Sequence, residues 1–348
     1  MPNEPRSASE SSAVEAAIAT LTDSGQGDVE SLKAGGPDLT DSKNHPPSAK
    51  AEAAGAGVSA LSEGQRGLWA LQKMAPGMSA YNVPFCFRTL RRLDRDAFRK
   101  ACCALLERNP ILANPIHGEA GVPYRAGQPS EAPFFQEEDA STLSEKELLP
   151  HLARKLKEPF SLERGPMIRV HVLSRSADEQ IVLIVIHHIS FDAGSYLPFA
   201  AQLFDAYEEF VQRGTAAPAP QSTSHVAFIE WERKLLEGRE ARQHLDFWRQ
   251  QLADAPPILN LPTDLARTGV VSFAGRTWEE DVPSGLADRI RSLCRLHGIT
   301  PPTLFFSIYK ILLARYAGED DLVVGLTIDL RPQGGFEPFI GDFINMVP

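Results

Sequence analysis

Nowhere in the 348 residues does an apolar run approach the ~18 residues that a membrane-spanning helix needs. The opening residues, with Asn3, Glu4, Ser7, Ser9 and Glu10, lack the apolar stretch of a secretory signal. A cytoplasmic location without a membrane partner is the expectation. Cysteine is scarce: Cys86, Cys102, Cys103 and Cys294 show neither a regular framework nor Cys-x-x-Cys spacing. That speaks against a disulfide scaffold and a cysteine-held zinc ion, and it suits a reducing compartment. Basic charge is not in surplus either. The formal net charge is −10, spread along the chain, which disfavours a nucleic-acid partner because phosphates select a basic patch. No repeat of solenoid period is visible. Aromatic residues are missing from residues 1–57, which are rich in Ser, Ala, Gly, Glu, Asp and Pro. Such a composition cannot bury enough surface to offset ordering, so a flexible tail is expected there, with at most a transient helix at Ala13–Leu21.

What is present begins near Leu61. The length suggests about two domains, and 43% hydrophobic residues are enough for a packed core. Ser62-x-x-Gln65 and Ser144-x-x-Glu147 are capping-box patterns, each opening a helix. Asn82 to Phe87 reads as a loop entering a strand. Asp94 caps a helix whose Ala97, Phe98, Ala101, Cys102, Leu105 and Leu106 share one face, which makes Cys102 a core residue. Ile168, Val170 and Val172 alternate with Arg169 and His171, the pattern of a half-buried strand. A polar turn at Ser174 to Gln180 leads into Ile181 to Ile186, a fully buried strand, and the pair reads as an antiparallel hairpin. An amphipathic helix carries Tyr196, Phe199, Ala200, Leu203, Phe204, Tyr207, Phe210 and Val211. After a break at Gly214 to Ser224 come a polar helix with Trp231 and Trp248, a loop at Pro256 to Gly275 and a strand near Arg276 to Val282. Helices at 285–297 and 302–317 follow, then a buried strand at Leu322 to Ile328. Pro301 and Pro302 suit a helix start and Gly318 a helix end.

The buried strand ends in His187-His188-Ile189-Ser190-Phe191-Asp192-Ala193-Gly194. A rigid strand that ends in two histidines delivers an imidazole into the space beyond it, which is how a general base is placed. Three other readings fit the same string. A histidine at a strand end is commonly a hydrogen-bonded core residue. A histidine pair can begin a metal site, though zinc needs more ligands. Asp192 can be the N-cap of the next helix.

Taken with its companions, this string resembles the condensation domain of nonribosomal peptide synthetases, a branch of the chloramphenicol-acetyltransferase-like acyltransferases. The family signature His-His-x-x-x-Asp-Gly is matched from His187 to Asp192. Further stretches agree in order: Ser62-Glu63-Gly64-Gln65-Arg66-Gly67-Leu68-Trp69 with Tyr81-Asn82-Val83-Pro84, Glu107-Arg108-Asn109-Pro110-Ile111-Leu112, and Pro159-Phe160-Ser161-Leu162-Glu163-Arg164-Gly165-Pro166. Phe247-Trp248 through Leu261-Pro262-Thr263-Asp264, and Ile340-Gly341-x-Phe343-Ile344-Asn345, complete the series. The resemblance covers roughly residues 58–348. It implies an α/β fold, an α+β sandwich of two lobes: an N-terminal lobe at 58–225, an inter-lobe segment at 226–275 and a C-terminal lobe at 276–348. That second lobe is expected to be incomplete, because the family's lobe continues beyond the Gly-x-Phe-Val-Asn motif.

The same resemblance implies a function. The family joins a donor acyl thioester to an acceptor amine, both carried on phosphopantetheine arms of carrier proteins. Acyl or peptidyl carrier proteins and adjacent assembly-line domains are the implied partners, with no metal and no directly bound cofactor. His188 takes the catalytic position, as base or as the group that orients the nucleophile. His187 buttresses the fold. Asp192 is structural, and a buried carboxylate needs a cation; family precedent puts an arginine in the Gly-x(5)-Arg stretch matched by Gly325 to Arg331, with Arg108 a weaker candidate. Ala193, Gly194 and Ser195 fall on the substrate channel. Ala193 stands where the motif has glycine, and its methyl clashes if the backbone needs positive φ or close approach there. A degenerate domain that only binds a carrier protein, and an acyltransferase that esterifies a free alcohol, are the alternatives. Heterocyclisation is disfavoured because it implies aspartates in place of the histidines, and epimerisation because its second motif is missing.

Overall fold

Ser62 and Gln65 fix the first helix by a reciprocal cap: each backbone N–H donates to the other's side-chain oxygen at 3.2 Å. The structure, a computed structural model, describes residues 58–348 except 120, 129–133, 218–221, 223, 257, 265–272, 274–277 and 279. The tail expected over residues 1–57 lies outside the described residues. So do residues 276, 277 and 279 of the strand expected at 276–282, and the described positions within that stretch are not in strand.

A short strand β1 (Ser59–Ala60) precedes α1 (Glu63–Met74), β2 (Asn82–Thr89), α2 (Arg95–Arg108) and the single turn α3 (Pro110–Ala113). Next come β3 (Ile116–Glu119), β4 (Val122–Arg125), β5 (Phe135–Asp139), α4 (Glu145–Leu156), β6 (Ile168–Ser174) and β7 (Gln180–His187). Helices α5 (Tyr196–Arg213), α6 (Ser224–Glu237), α7 (Arg239–Gln251), α8 (Ser284–His297) and α9 (Pro301–Ala317) follow. The chain closes with β8 (Leu326–Asp329), the turn α10 (Arg331–Gly334) and β9 (Ile344–Val347). Among the described residues no helix is long and apolar enough to cross a membrane.

Four strands form the main sheet in the order β2-β7-β6-β5. β7 pairs antiparallel with β2 and β6, while β5 joins β6 in parallel. The hairpin read from the polar turn is therefore present. Both faces of the sheet are covered. Val182, Ile184 and Ile186 of β7 pack with Phe98, Ala101, Cys102 and Leu105 of α2 and Phe199 and Leu203 of α5. Ile181, Leu183 and Val185 point the other way, toward Leu148 and Leu152 of α4, Ile116, Phe160 and Leu162. A strand sandwiched on both sides must be apolar at every position, which explains the unbroken aliphatic run. The same layering corrects one expectation: His171, placed by alternation on a polar face, is buried. Val211 differs too, being exposed on α5 rather than part of its apolar face. A smaller sheet has the order β1-β4-β3, and β8 pairs with β9.

Contacts group residues up to Arg233 with Asp329–Asn345 in one compact unit, and Lys234–Ile328 with Met346–Pro348 in another. These units do not coincide with the lobe boundaries drawn from the sequence, since 329–345 packs with the first unit. The polar helix expected with Trp231 and Trp248 is two helices, α6 and α7, separated at Gly238. The buried strand expected at Leu322 to Ile328 is a correction as well. β8 starts only at Leu326 and is largely exposed, for its one partner among the described residues is β9. α8 and α9 agree with expectation within a residue, and Gly298 and Gly318 end them in left-handed backbone at φ 62° and 68°.

Candidate active site

β7 delivers His187 and His188 to opposite fates. His187 faces the α4 side and is wholly buried, with the Phe160 ring set edge-on at 5.7 Å. Its Nδ1 accepts the Ile189 N–H at 3.1 Å. Burial, helped by His188 and Arg125, depresses its pKa to about 3, so the ring is neutral and structural. His188 opens a 3₁₀ turn, His188–Ser190. Its N–H donates to the Tyr81 carbonyl at 2.8 Å, and its carbonyl accepts from Phe191 N–H at 3.0 Å. The side chain is 28% exposed although Nδ1 is buried, so the open part of the ring lies away from Nδ1.

Phe191 ends that turn, and Asp192 caps the next one, Ala193–Ser195, accepting the Ser195 N–H at 3.1 Å. The N-cap reading and the ion-pair reading of this residue hold together. The Arg331 guanidinium meets the carboxylate with Nη1 on Oδ2 at 2.7 Å and Nη2 on Oδ1 at 2.5 Å. The Phe343 N–H donates to the same carboxylate at 2.9 Å. Both charged side chains are at most 2% exposed. The arginine is stacked over the Phe343 ring at 4.4 Å. Ser195 Oγ accepts from Gly341 N–H at 3.0 Å, and Asp192 N–H donates to the Gly341 carbonyl at 3.1 Å. Residues 339–343 are thus clasped onto the turn that follows the histidines.

Three expectations change. Arg108 is exposed at the end of α2, and the cation beside Asp192 is Arg331. Ser195 is buried and hydrogen-bonded to Gly341, so it faces protein rather than a channel. Ala193 is exposed and has no positive φ; the close approach belongs to Gly194, where an added Cβ would lie 2.5 Å from Arg331 Nη1.

Two residues that sequence reasoning passed over stand beside the histidines. Arg125 is buried under the turn, donating to the carbonyls of Ile111 and Asn114 at 2.9 Å each, and burial lowers its pKa to about 9. Asp342 places Oδ1 3.8 Å from His188 Nδ1. It occupies the variable position of the Gly-x-Phe motif, and its signal was an acid set between Ile340 and Phe343, both buried. A cavity of about 950 Å³ is lined by Arg92, Glu137, Arg175 and Gln180 among others. Gln180 and His187 are the two ends of β7, so this cavity is about 23 Å from the histidines and carries no part of their chemistry. Among the described residues no group of three His, Cys, Asp or Glu side chains is arranged to hold a metal ion.

The structure thus combines a mixed α/β fold with two histidines at a buried strand end and an Asp–Arg clasp behind them. Residues 56–348 match the Condensation domain family, and the chain belongs to it. It is 41% identical over 289 residues to polyketide synthase PksN of Bacillus subtilis (strain 168), covering 83% of this chain and 5% of that protein. It is 29% identical over 290 residues to phosphinothricin tripeptide synthetase PhsC of Streptomyces viridochromogenes, covering 82% of this chain and 27% of PhsC. The chain therefore spans a small part of these multidomain relatives. The first condensation domain of the calcium-dependent antibiotic synthetase shares the fold with a TM-score of 0.69 at 19% identity, over 84% of this chain and 69% of that one. The X-domain in its complex with OxyB from teicoplanin biosynthesis does so with a TM-score of 0.74 at 24% identity, over 88% and 67%.

Proposed function

We propose that this domain forms an amide bond between an acyl thioester on one carrier protein and an amine on another, with His188 acting on the acceptor. The amine nitrogen attacks the thioester carbonyl, a C–N bond forms, the C–S bond breaks, and the proton given up by nitrogen ends on the departing thiol. Both substrates ride on phosphopantetheine arms, so the domain itself needs no bound cofactor, and its partners are carrier proteins and neighbouring assembly-line domains. One observation carries the reading: the His188 backbone is pinned on both sides while part of its ring stays open to solvent. Imidazole is the side chain most often used to move a proton in such a step. The Asp192–Arg331 clasp keeps the following turn in place, and His187 supports the strand end from within.

His188→Ala is expected to lower transfer from a loaded donor carrier to an amine acceptor by roughly 10²–10⁴-fold. His187→Ala should act through stability instead. Circular dichroism checks that each variant is folded, and near-normal turnover by folded His188→Ala removes the assignment. A second reading, a domain that binds a partner without catalysis, is favoured by the X-domain, which has the same fold and was solved in complex with OxyB. Carrier-protein binding by a folded parent without turnover supports that reading. Preference for a free alcohol acceptor points to ester formation.

A further inference from the structure

Two buried polar atoms face each other beside the histidines. His188 Nδ1 and Asp342 Oδ1 are both inaccessible and without a hydrogen-bond partner, and they lie 3.8 Å apart. Such atoms are rarely left unpaired, since each has given up water without replacing it. Closing the gap by about 0.9 Å makes an ordinary N–H···O bond. The carboxyl is held from behind by the Ile344 N–H, and the His188 backbone is fixed by Tyr81.

We propose that Asp342 is the positioning residue for His188: the ring donates Nδ1–H to the Asp342 carboxylate, which leaves the Nε2 lone pair on the open side of the ring. The assignment rests on His188 being the group that acts on substrate. It specifies which of two tautomers the site presents. With Nδ1–H fixed toward Asp342, Nε2 is free to take a proton from an attacking amine; with the opposite tautomer it could only donate. The acid answers to its surroundings. Burial holds the Asp342 carboxyl well above the ordinary carboxylate range, Asp192 and Glu232 add to that, and Arg331 opposes it. The pairing therefore strengthens as pH rises and the carboxyl ionises.

The test uses the full chain labelled with ¹⁵N-histidine at pH 8.5, with the His188 signals identified by their loss in His188→Gln. The parent should show Nδ1 protonated and Nε2 bare. Asp342→Asn keeps its amide oxygen on the Ile344 N–H and turns its NH2 toward His188 Nδ1, so it should reverse that pattern to Nε2–H. Asp342→Leu should also lose the Nδ1–H pattern, the ring reverting to the Nε2–H form preferred by free histidine. Acyl transfer by Asp342→Leu and by Asp342→Asn should fall about 10–100-fold, as when a carboxylate that orients an imidazole is removed. A parent carrying Nε2–H overturns the proposal, and does so even if Asp342→Leu fails to fold. An unaltered tautomer in folded Asp342→Leu overturns it too, and leaves the amide-forming reading intact if the parent turns over. Loss of the Nδ1–H tautomer in Asp342→Leu, beside a parent that has it but never turns over, upholds the pairing and discards the proposed reaction.

Discussion

Asp192 and Arg331 hold each other where neither could stand alone. The guanidinium is 2% exposed and its partner 0%, so removing the carboxylate leaves a buried charge rather than a solvated one. Asp192→Ala is expected to destabilise the protein by about 3–5 kcal/mol, the usual cost of stranding one member of a buried pair. Adding Arg331→Met should recover much of the loss, because the stranded charge is then gone. Urea denaturation of the single and double variants measures both; an unchanged midpoint for Asp192→Ala contradicts the assignment. His187 shows the same principle without charge. Its ring is neutral, and its Nδ1 serves the Ile189 N–H, so the residue secures the turn from which its neighbour projects.

The turn Ala193–Ser195 concentrates what the sequence conveys and what it hides. The resemblance to the family motif pointed to Ala193 as the strained position. The backbone shows no strain there, and the crowding falls one residue later, against Arg331. Ala193→Gly should therefore change stability little, within about 0.5 kcal/mol as for exposed surface positions. Gly194→Ala should cost about 1–3 kcal/mol by pressing a methyl on a guanidinium that its ion pair locks in place. Thermal melting of the two variants decides, and the reverse order of effects rules this account out. Elsewhere, legibility followed the strength of local signals. β7, its hairpin with β6, and the helices opened by Ser62, Asp94 and Ser144 could be read because apolar spacing and capping residues agree. β1, β3 and β4 are too short to show a period, and His171 looked exposed because alternation cannot reveal a second covering layer. Arg331 was found through the resemblance alone. Asp342 and Arg125 were not found, because both depend on contacts between distant segments that no local pattern encodes.

Across the molecule, burial sets how stability answers to acid. His187 and His225 are depressed to about 3 and His171 to about 4, chiefly by desolvation. In the unfolded chain each titrates near 6.5. Between those values the unfolded state binds more protons than the folded one, so the contribution that is complete above pH 6.5 is lost as pH falls toward 4 and 3. Three such groups give a slope of up to about 4 kcal/mol per pH unit midway. Asp342 works in the opposite sense, since its raised carboxyl binds a proton more readily when folded, and it offsets at most one of the three. The melting temperature is expected to drop steeply between pH 6 and 4.5. Melts recorded from pH 8 to pH 4 test this, and a flat profile excludes it.

The clasp also has a direction in time. Asp192 and Arg331 are 139 residues apart, and ribosomal synthesis delivers the acid first. While the stretch between them is being made, the strand that carries His188 can already pair with β2 and β6, yet the carboxylate behind it has no counter-ion. Only after Phe343 has left the exit tunnel do the guanidinium, the Gly341 contacts and the Asp342 carboxyl arrive together. The nascent chain therefore carries His188 in an unfinished setting for much of its synthesis, and a ribosome stalled before residue 331 holds the turn that follows the histidines without its clasp.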